Sequence, residues 1–160
     1  MNWKPKIIAV QILKNSIFPS IKKRINKVSL SLAGSFMDEE ENAYDIIYKG
    51  FVENLNDFFS NEGILLSPIL SGSGVRIKIL ESMASGTPVI TTILGAEGIS
   101  ITPGKEILIA KNEKEFVEFA VRLSKSKEER EKIGQQARLF IANHHDKKNI
   151  IKNLSELLEK

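Results

Sequence analysis

Cysteine is absent from the 160 residues, which removes disulfides, thiolate catalysis and sulfur-ligated metals and leaves a reducing compartment open. Long apolar runs are absent too. None approaches the roughly 20 residues that a membrane-crossing helix needs, and the start Met1-Asn2-Trp3-Lys4-Pro5 lacks the charged-then-apolar layout of a signal peptide. The expectation is a soluble, cytoplasmic protein. An excess of one charge is missing as well: 23 Lys and Arg stand against 20 Asp and Glu, a formal net charge of +3. That bias is too weak to argue for nucleic acid, though it suits an anionic small ligand or an acidic membrane surface. Histidine is scarce, and His144 and His145 are neighbours, so they point in different directions on a helix with no acidic or cysteine set around them. A solvated helix end describes them better than a metal or acid/base site. Trp3 and Phe18 read as packing residues, and Tyr44 and Tyr48 as cover for a strand.

What is present suffices for one domain. Hydrophobic residues make up 42% of the chain, enough for a core, but the length leaves no room for a second full domain. From Pro5 to about Lys27, Ile7, Ile8, Ile12, Leu13, Ile17, Phe18, Ile21 and Ile25 recur at helical spacing, with a kink or break expected at Pro19. Val28 to Ala33 reads as a strand stopped by Gly34, followed by a solvated acidic stretch from Asp38 to Glu41. Ile46 to Val52 offers a second strand interrupted by Gly50, and Asn54 is placed to cap a brief helix through Phe59. The continuous apolar run Ile64 to Pro68 suggests a strand covered on both faces. A helix from about Val75 to Ser85 ends at Gly86 with Pro88 beyond it, and Val89 to Thr92 and Ile107 to Ala110 complete the strands. Helices over Asn112 to Lys125, Glu128 to Asn143 and Lys147 to Leu158 fill the remainder. Strands alternating with helices predict right-handed βαβ units, hence an α/β fold with a parallel sheet covered by helices on both faces and a helical C-terminal third. In such a fold ligands gather at the carboxyl ends of the strands.

One stretch carries chemistry: Pro68 to Thr91, a buried strand, a Gly/Ser loop, a helix with two cations in its first turns, and a return strand. A helix N-terminus offers unpaired N–H groups and partial positive charge, and Gly72 and Gly74 let a ligand approach the backbone, so an anion or a hydroxyl-rich ligand is well held there. Arg76 and Lys78 add to that field. The plainer alternative has Ser73 capping the helix, the glycines forming a turn, and Lys78 pairing with Glu81. On a helical wheel Ile77, Leu80 and Ala84 share a direction and Glu81 falls at the border of that arc. A half-sunk carboxylate needs partners, and paired ligand hydroxyls or a structural donor serve equally. The clusters Lys22-Lys23-Arg24 and Lys147-Lys148 read as solvated faces, with contact to anionic lipid at the inner face of a membrane left open. Lys105 and Glu106, in a turn after Pro103-Gly104, are assigned no role.

The run from Gly50-Phe51-Val52 through Pro68, the Gly-Ser-Gly loop, Lys78-Ile-Leu-Glu81-Ser-Met-Ala84-Ser-Gly86-Thr-Pro88-Val89-Ile90, and on to Gly95-Ala96-Glu97-Gly98 resembles the C-terminal domain of the group-1 retaining GT-B glycosyltransferases. The resemblance covers nearly the whole chain. It implies that residues 1–160 form a single donor-binding domain, one half of a GT-B fold, taking a UDP- or GDP-sugar without a bound metal or other cofactor. It further implies that Glu81 takes the ribose hydroxyls, that Gly50, Phe51 and Val52 line the base pocket, and that Ser73, Gly74 and Val75 face the sugar and diphosphate. No catalytic residue is assigned to this stretch. Three departures stand out: the family's usual first glutamate is replaced by Ser73, and the first strand with its diphosphate-binding Arg and Lys is missing, as is the N-terminal acceptor-binding domain. Whether Arg76 and Lys78 compensate is left open. The resemblance implies retaining transfer to a glycan or lipid-linked acceptor in polysaccharide biosynthesis. A non-catalytic nucleotide-sugar-binding or docking module is the alternative. A nucleotide-sugar epimerase would need acid/base groups near the loops, and none is present.

Overall fold

The computed structural model of the protein describes residues 4–34, 45–61, 63–72, 74 and 76–144. The chain order is α1 (Lys4–Ile12), a π-helical turn (Leu13–Ile17), α2 (Phe18–Lys22), β1 (Leu30–Leu32), β2 (Ile46–Tyr48), α3 (Leu55–Asn61), β3 (Leu65–Ser67), α4 (Ile77–Ser85), β4 (Val89–Thr91), β5 (Leu108–Ile109), α5 (Glu113–Lys125) and α6 (Lys127–His144). Every strand pairing is parallel, as the alternation of strands and helices predicts. The strands form two ladders, β1 with β2 and β3-β4-β5.

The helical spacing from Pro5 does make helix, though it ends at Lys22 rather than near Lys27, and the feature expected at Pro19 takes a particular form. Proline has no N–H to donate backward, so a regular α-helical ladder cannot pass through it. The chain widens ahead of it into a π turn, with the Phe18 N–H bonded to the Leu13 carbonyl and Pro19 in the first turn of α2. Asn54 caps α3 as expected, its Oδ1 accepting the N–H groups of Asn56 at 3.1 Å and Asp57 at 3.2 Å.

Two apolar clusters lie on opposite sides of the strands. One joins Leu13, Ile17, Phe18 and Ile21 to Phe116, Ala120 and Leu123 of α5, against Leu30, Leu32, Ile90 and Leu108. The other joins Ile79 and Met83 of α4 to Ala137 and Phe140 of α6, against Val89 and Ile107. Successive residues of β4 therefore serve different layers, as the two-residue period of a strand requires, and β4 is buried throughout. The run Ile64 to Pro68 also sends Leu66 to the first cluster and Leu65 to the second. Its strand residues are only half-buried, because β3 ends its ladder rather than sitting inside it. The helix expected over Lys147 to Leu158 lies outside the described residues, as do Trp3, Tyr44, His145 and the acidic stretch from Asp38 to Glu41.

Helix α4 ends at Gly86 with φ of +80°, its N–H bonded to Met83. Gly134 of α6 packs directly on this turn: a Cβ built there would lie 2.0 Å from the Gly86 carbonyl oxygen. The obstacle is backbone, so Gly134→Ala forces the two helices apart. The expected cost is about 3 kcal/mol, seen as a fall of roughly 6–12 °C in the thermal midpoint by circular dichroism, whereas Gln135→Ala, one position away on the exposed side, leaves the midpoint within about 2 °C.

Candidate functional site

Parallel strands place the strand-to-helix loops of a ladder on one edge; Gly50 to Val52 follow β2, and Gly72, Gly74 and the start of α4 follow β3. Gly50 follows β2 with φ of +60°, a left-handed conformation that favours glycine, and its carbonyl accepts the Gly34 N–H at 2.8 Å. Phe51 behind it is 77% exposed, and Val52 is half-buried. Gly72 and Gly74 follow β3, with φ of +103° and +104°. Ser73 and Val75 lie outside the described residues.

Helix α4 starts at Ile77, and the residue in the capping position is Arg76, which makes no side-chain cap bond. An arginine side chain offers only donors, so it caps no first-turn N–H. The carbonyl of Arg76 accepts from Ile79 and Leu80, while no acceptor is found for the N–H groups of Ile77 and Lys78 among the described residues. Arg76 instead reaches back, its Nη2 donating to the Gly72 carbonyl at 2.6 Å, and so ties the Gly/Ser loop to the helix that follows it. Its Nε is buried and unpartnered, and so is Oε2 of Glu81 on the next turn. Lys78 is exposed and forms no ion pair with Glu81. The plainer alternative, in which Glu81 is satisfied by Lys78, is thus not what forms. A buried carboxylate oxygen and guanidinium N–H without protein partners cost free energy unless another molecule supplies them.

The wheel reading of α4 requires correction. Its buried arc is Ile79, Ser82 and Met83, and Ile77 is 61% exposed. Apolarity alone set the phase wrongly because Ser82 is fully buried, its hydroxyl bonded to the Thr87 carbonyl. Glu81 still borders the buried arc and is half-buried.

Helix α5 shows the contrasting design. Asn112 Oδ1 accepts the Glu115 N–H at 3.0 Å, and Glu115 reaches back to the Lys111 N–H at 2.9 Å, an arrangement close to a capping box. Beside it a cleft of about 500 Å³ opens between Ile12, Pro68, Leu70, Thr92 and the start of α5 at Lys111 to Lys114. Pro68 and Leu70 of the stretch singled out from the sequence line this cleft, whereas none of the residues assigned to the donor does.

Sequence reading overlooked the threonines and one acid. Thr87 donates to the Phe59 carbonyl at 2.7 Å and Thr91 to the Ser67 carbonyl at 2.8 Å. Thr92 donates to the Ile69 carbonyl and accepts the Gly95 N–H at 3.0 Å, which fastens the loop after β4 to the loop after β3. Gly95 is required there, since a Cβ would sit 2.0 Å from Thr91 Oγ1. Glu106, assigned no role above, is 5% exposed, accepts the Thr102 N–H at 2.7 Å and pairs with Lys105 at 3.3 Å, holding the turn before β5. The run Thr87-Pro-Val-Ile-Thr-Thr92 was the available signal, because hydroxyls at both ends of a buried strand need nearby carbonyls. The basic cluster at the end of α2 is exposed, with Lys22 paired to Asp45.

No helix among the described residues is long and apolar enough to cross a membrane. Residues 2–126 match the family model described as group 1 glycosyl transferases. A 44.6 kDa protein of the cps region of Klebsiella pneumoniae is 26% identical over 152 residues, covering 88% of this chain and 39% of that protein. Among solved structures, a mutant of S. aureus TarM in complex with Fondaparinux, alpha-GlcNAc-glycerol and UDP superposes over 100% of this chain and 34% of its own, at 16% identity and a TM-score of 0.78. Anabaena HepE in complex with UDP and glucose covers 90% of this chain and 44% of its own, at 14% identity and a TM-score of 0.72. The chain thus spans less than half the length of each of these proteins.

Removing the Thr92 hydroxyl leaves a carbonyl and an N–H unpaired in a partly buried place. Thr92→Val is expected to cost about 1–3 kcal/mol, measured as a lowered urea midpoint at unchanged slope, while Thr102→Val on the exposed turn, where only the backbone N–H is bonded, shifts it by under about 0.5 kcal/mol.

Proposed function

The chain belongs to the group 1 glycosyl transferases, and on that premise we propose that it holds the nucleotide-sugar donor, a UDP- or GDP-sugar, at the loop and helix start that follow β3. The observation that carries the reading is the pair of unpartnered buried atoms, Arg76 Nε and Glu81 Oε2, beside a helix start whose capping residue makes no side-chain cap bond. Their chemistry matches the two ends of a nucleoside diphosphate. The ionised carboxylate of Glu81 accepts hydrogen bonds from vicinal ribose hydroxyls, and the first-turn N–H groups of α4 with Arg76 and Lys78 meet the negative diphosphate. Support for a UDP donor comes from the superposable TarM and HepE structures, both of which contain UDP. Gly50, Phe51 and Val52, at the carboxyl end of β2, are assigned to the base, where the exposed Phe51 ring offers a face for stacking. Gly74 and the adjoining Ser73 and Val75 are assigned to the sugar and diphosphate.

Bond cleavage in the donor releases a nucleoside diphosphate, and negative charge grows on the leaving oxygen as the bond to the sugar breaks. Fixed N–H dipoles and guanidinium charge already aimed at that oxygen stabilise the developing charge without reorganising, so the reading calls for no metal. Transfer with retention of configuration, a glycan or lipid-linked acceptor, polysaccharide biosynthesis, a cytoplasmic location and contact with the inner face of a membrane complete the proposal. The cps-region relative supports the biosynthetic part. Acceptor binding and catalysis are assigned to the part of the longer relatives that this chain does not span.

Titration calorimetry with UDP and GDP tests the site. Glu81→Ala is expected to weaken binding by about 2–3 kcal/mol, roughly 30- to 150-fold in Kd, with an unchanged circular dichroism spectrum. Arg76→Ala is expected to weaken binding about tenfold and to flatten its dependence on salt. Equal affinity of the parent protein and Glu81→Ala removes Glu81 from the site.

A further inference from the structure

The Gly/Ser loop between β3 and α4 is held by very little. Its backbone from Leu70 to Gly74 makes no backbone–backbone hydrogen bond among the described residues. Gly72 and Gly74 have φ of +103° and +104°, a region open to glycine and to few other residues, so the chain there keeps the freedom of glycine. Among the described residues the one hydrogen bond to this stretch comes from Arg76, whose Nη2 donates to the Gly72 carbonyl at 2.6 Å.

That bond uses only part of the side chain. A guanidinium presents its N–H donors in a rigid planar fork, and the Nε of Arg76 is buried with no partner. No carboxylate pairs with Arg76 among the described residues. Its backbone, with φ of −85° and ψ of 65°, is not helical, so Arg76 stands at the corner between loop and helix. Lys78, the other cation ahead of Glu81, is exposed, where water and salt screen its charge. Glu81 lies five residues beyond Arg76, a rise of about 7.5 Å along a helix. In a nucleoside diphosphate the outer phosphate is the one farther from the ribose, so a ribose held on Glu81 directs the outer phosphate, rather than the inner one, toward Arg76.

Resting on the donor reading above, we propose that Arg76 is the positioning residue of the donor loop. One prong of its guanidinium holds the Gly72 carbonyl and fixes the loop before the donor arrives, and the Nε prong is kept for the outer phosphate, the one that carries the sugar. The two contacts reinforce each other. A loop fixed in advance costs less to order on binding, and a guanidinium already held at one nitrogen loses little further freedom at another. Lysine cannot take its place, because an ammonium on a flexible stem has the charge without the fork. Of the two cations ahead of Glu81, Arg76 is the one that joins loop and ligand.

The test compares the full chain with Arg76→Lys and Arg76→Ala. Without nucleotide, the NMR order parameters of the Gly72 and Gly74 amides are expected to fall from about 0.85 to below about 0.6 in both variants. Calorimetric titration then uses the better bound of UDP and GDP together with its monophosphate. Affinity for the diphosphate is expected to drop about tenfold in both variants, and affinity for the monophosphate, which lacks the outer phosphate, by under about threefold. Parent affinity for the diphosphate in Arg76→Lys overturns the proposal, because charge alone then suffices. Equal losses for the two nucleotides overturn it as well, since Arg76 then makes no separate contact with the outer phosphate. So do glycine order parameters unchanged in both variants, since the loop is then fixed without Arg76. Glu81→Ala separates this inference from the reading beneath it, being expected to weaken both nucleotides alike through the ribose they share. Parent affinities in Glu81→Ala sink the donor reading itself, whereas a loss there beside parent behaviour in Arg76→Lys sinks this inference alone.

Discussion

Parallel strand pairing is the constraint from which the rest of this structure follows. A parallel ladder cannot be closed by a tight turn, so each pairing needs a longer crossover; β3 returns to β4 through α4, and α4 with α6 on one side and α5 with the N-terminal helices on the other cover the strands. The split of Val89 and Ile90 between two apolar clusters is the direct consequence. A second consequence is that the loops after β3 and β4 open on the same edge of their ladder, which lets the Thr92 hydroxyl bond the Ile69 carbonyl.

Two helix starts differ in their caps. Helix α5 has a side-chain cap, Asn112 taking the Glu115 N–H while Glu115 takes the Lys111 N–H. Helix α4 begins at an arginine that cannot accept a hydrogen bond, beneath a loop held by that same arginine. The unpartnered Glu81 oxygen lies one turn further on, and under the proposed function a ribose hydroxyl satisfies it.

Much of the architecture was readable from residue order. Strand–helix alternation, the stop at Gly86 before Pro88, the Asn54 and Asn112 starts and the buried run at Val89 needed only local chemistry, and the structure bears them out. The misreadings share one cause. The phase of α4 was set by apolar residues, whereas Ser82 is buried through a bond to Thr87 that only the folded chain supplies. Glu106 looked idle in a turn because its partner, the Thr102 N–H, becomes an acceptable place for a buried carboxylate only once the turn closes. Pro19 announced a disturbance, but its form, a π turn rather than a stop, was set by the packing of Ile17, Phe18 and Ile21 on α5.

By itself the sequence determined the fold class and the family and singled out the stretch from Pro68 to Thr91 on which the proposed function rests, because helix caps, glycine turns and apolar periods are local interactions encoded within a few residues of one another. Tertiary structure alone decided which polar groups end up satisfied. Lys78 leaves Glu81 unpaired, Thr92 joins two loops, Gly134 meets Gly86 through bare backbone, and β3 stands at an open edge. Each outcome depends on which distant segment arrives alongside, and hydrogen bonds and steric contacts act only over a few ångströms, so no pattern along the chain could have specified them.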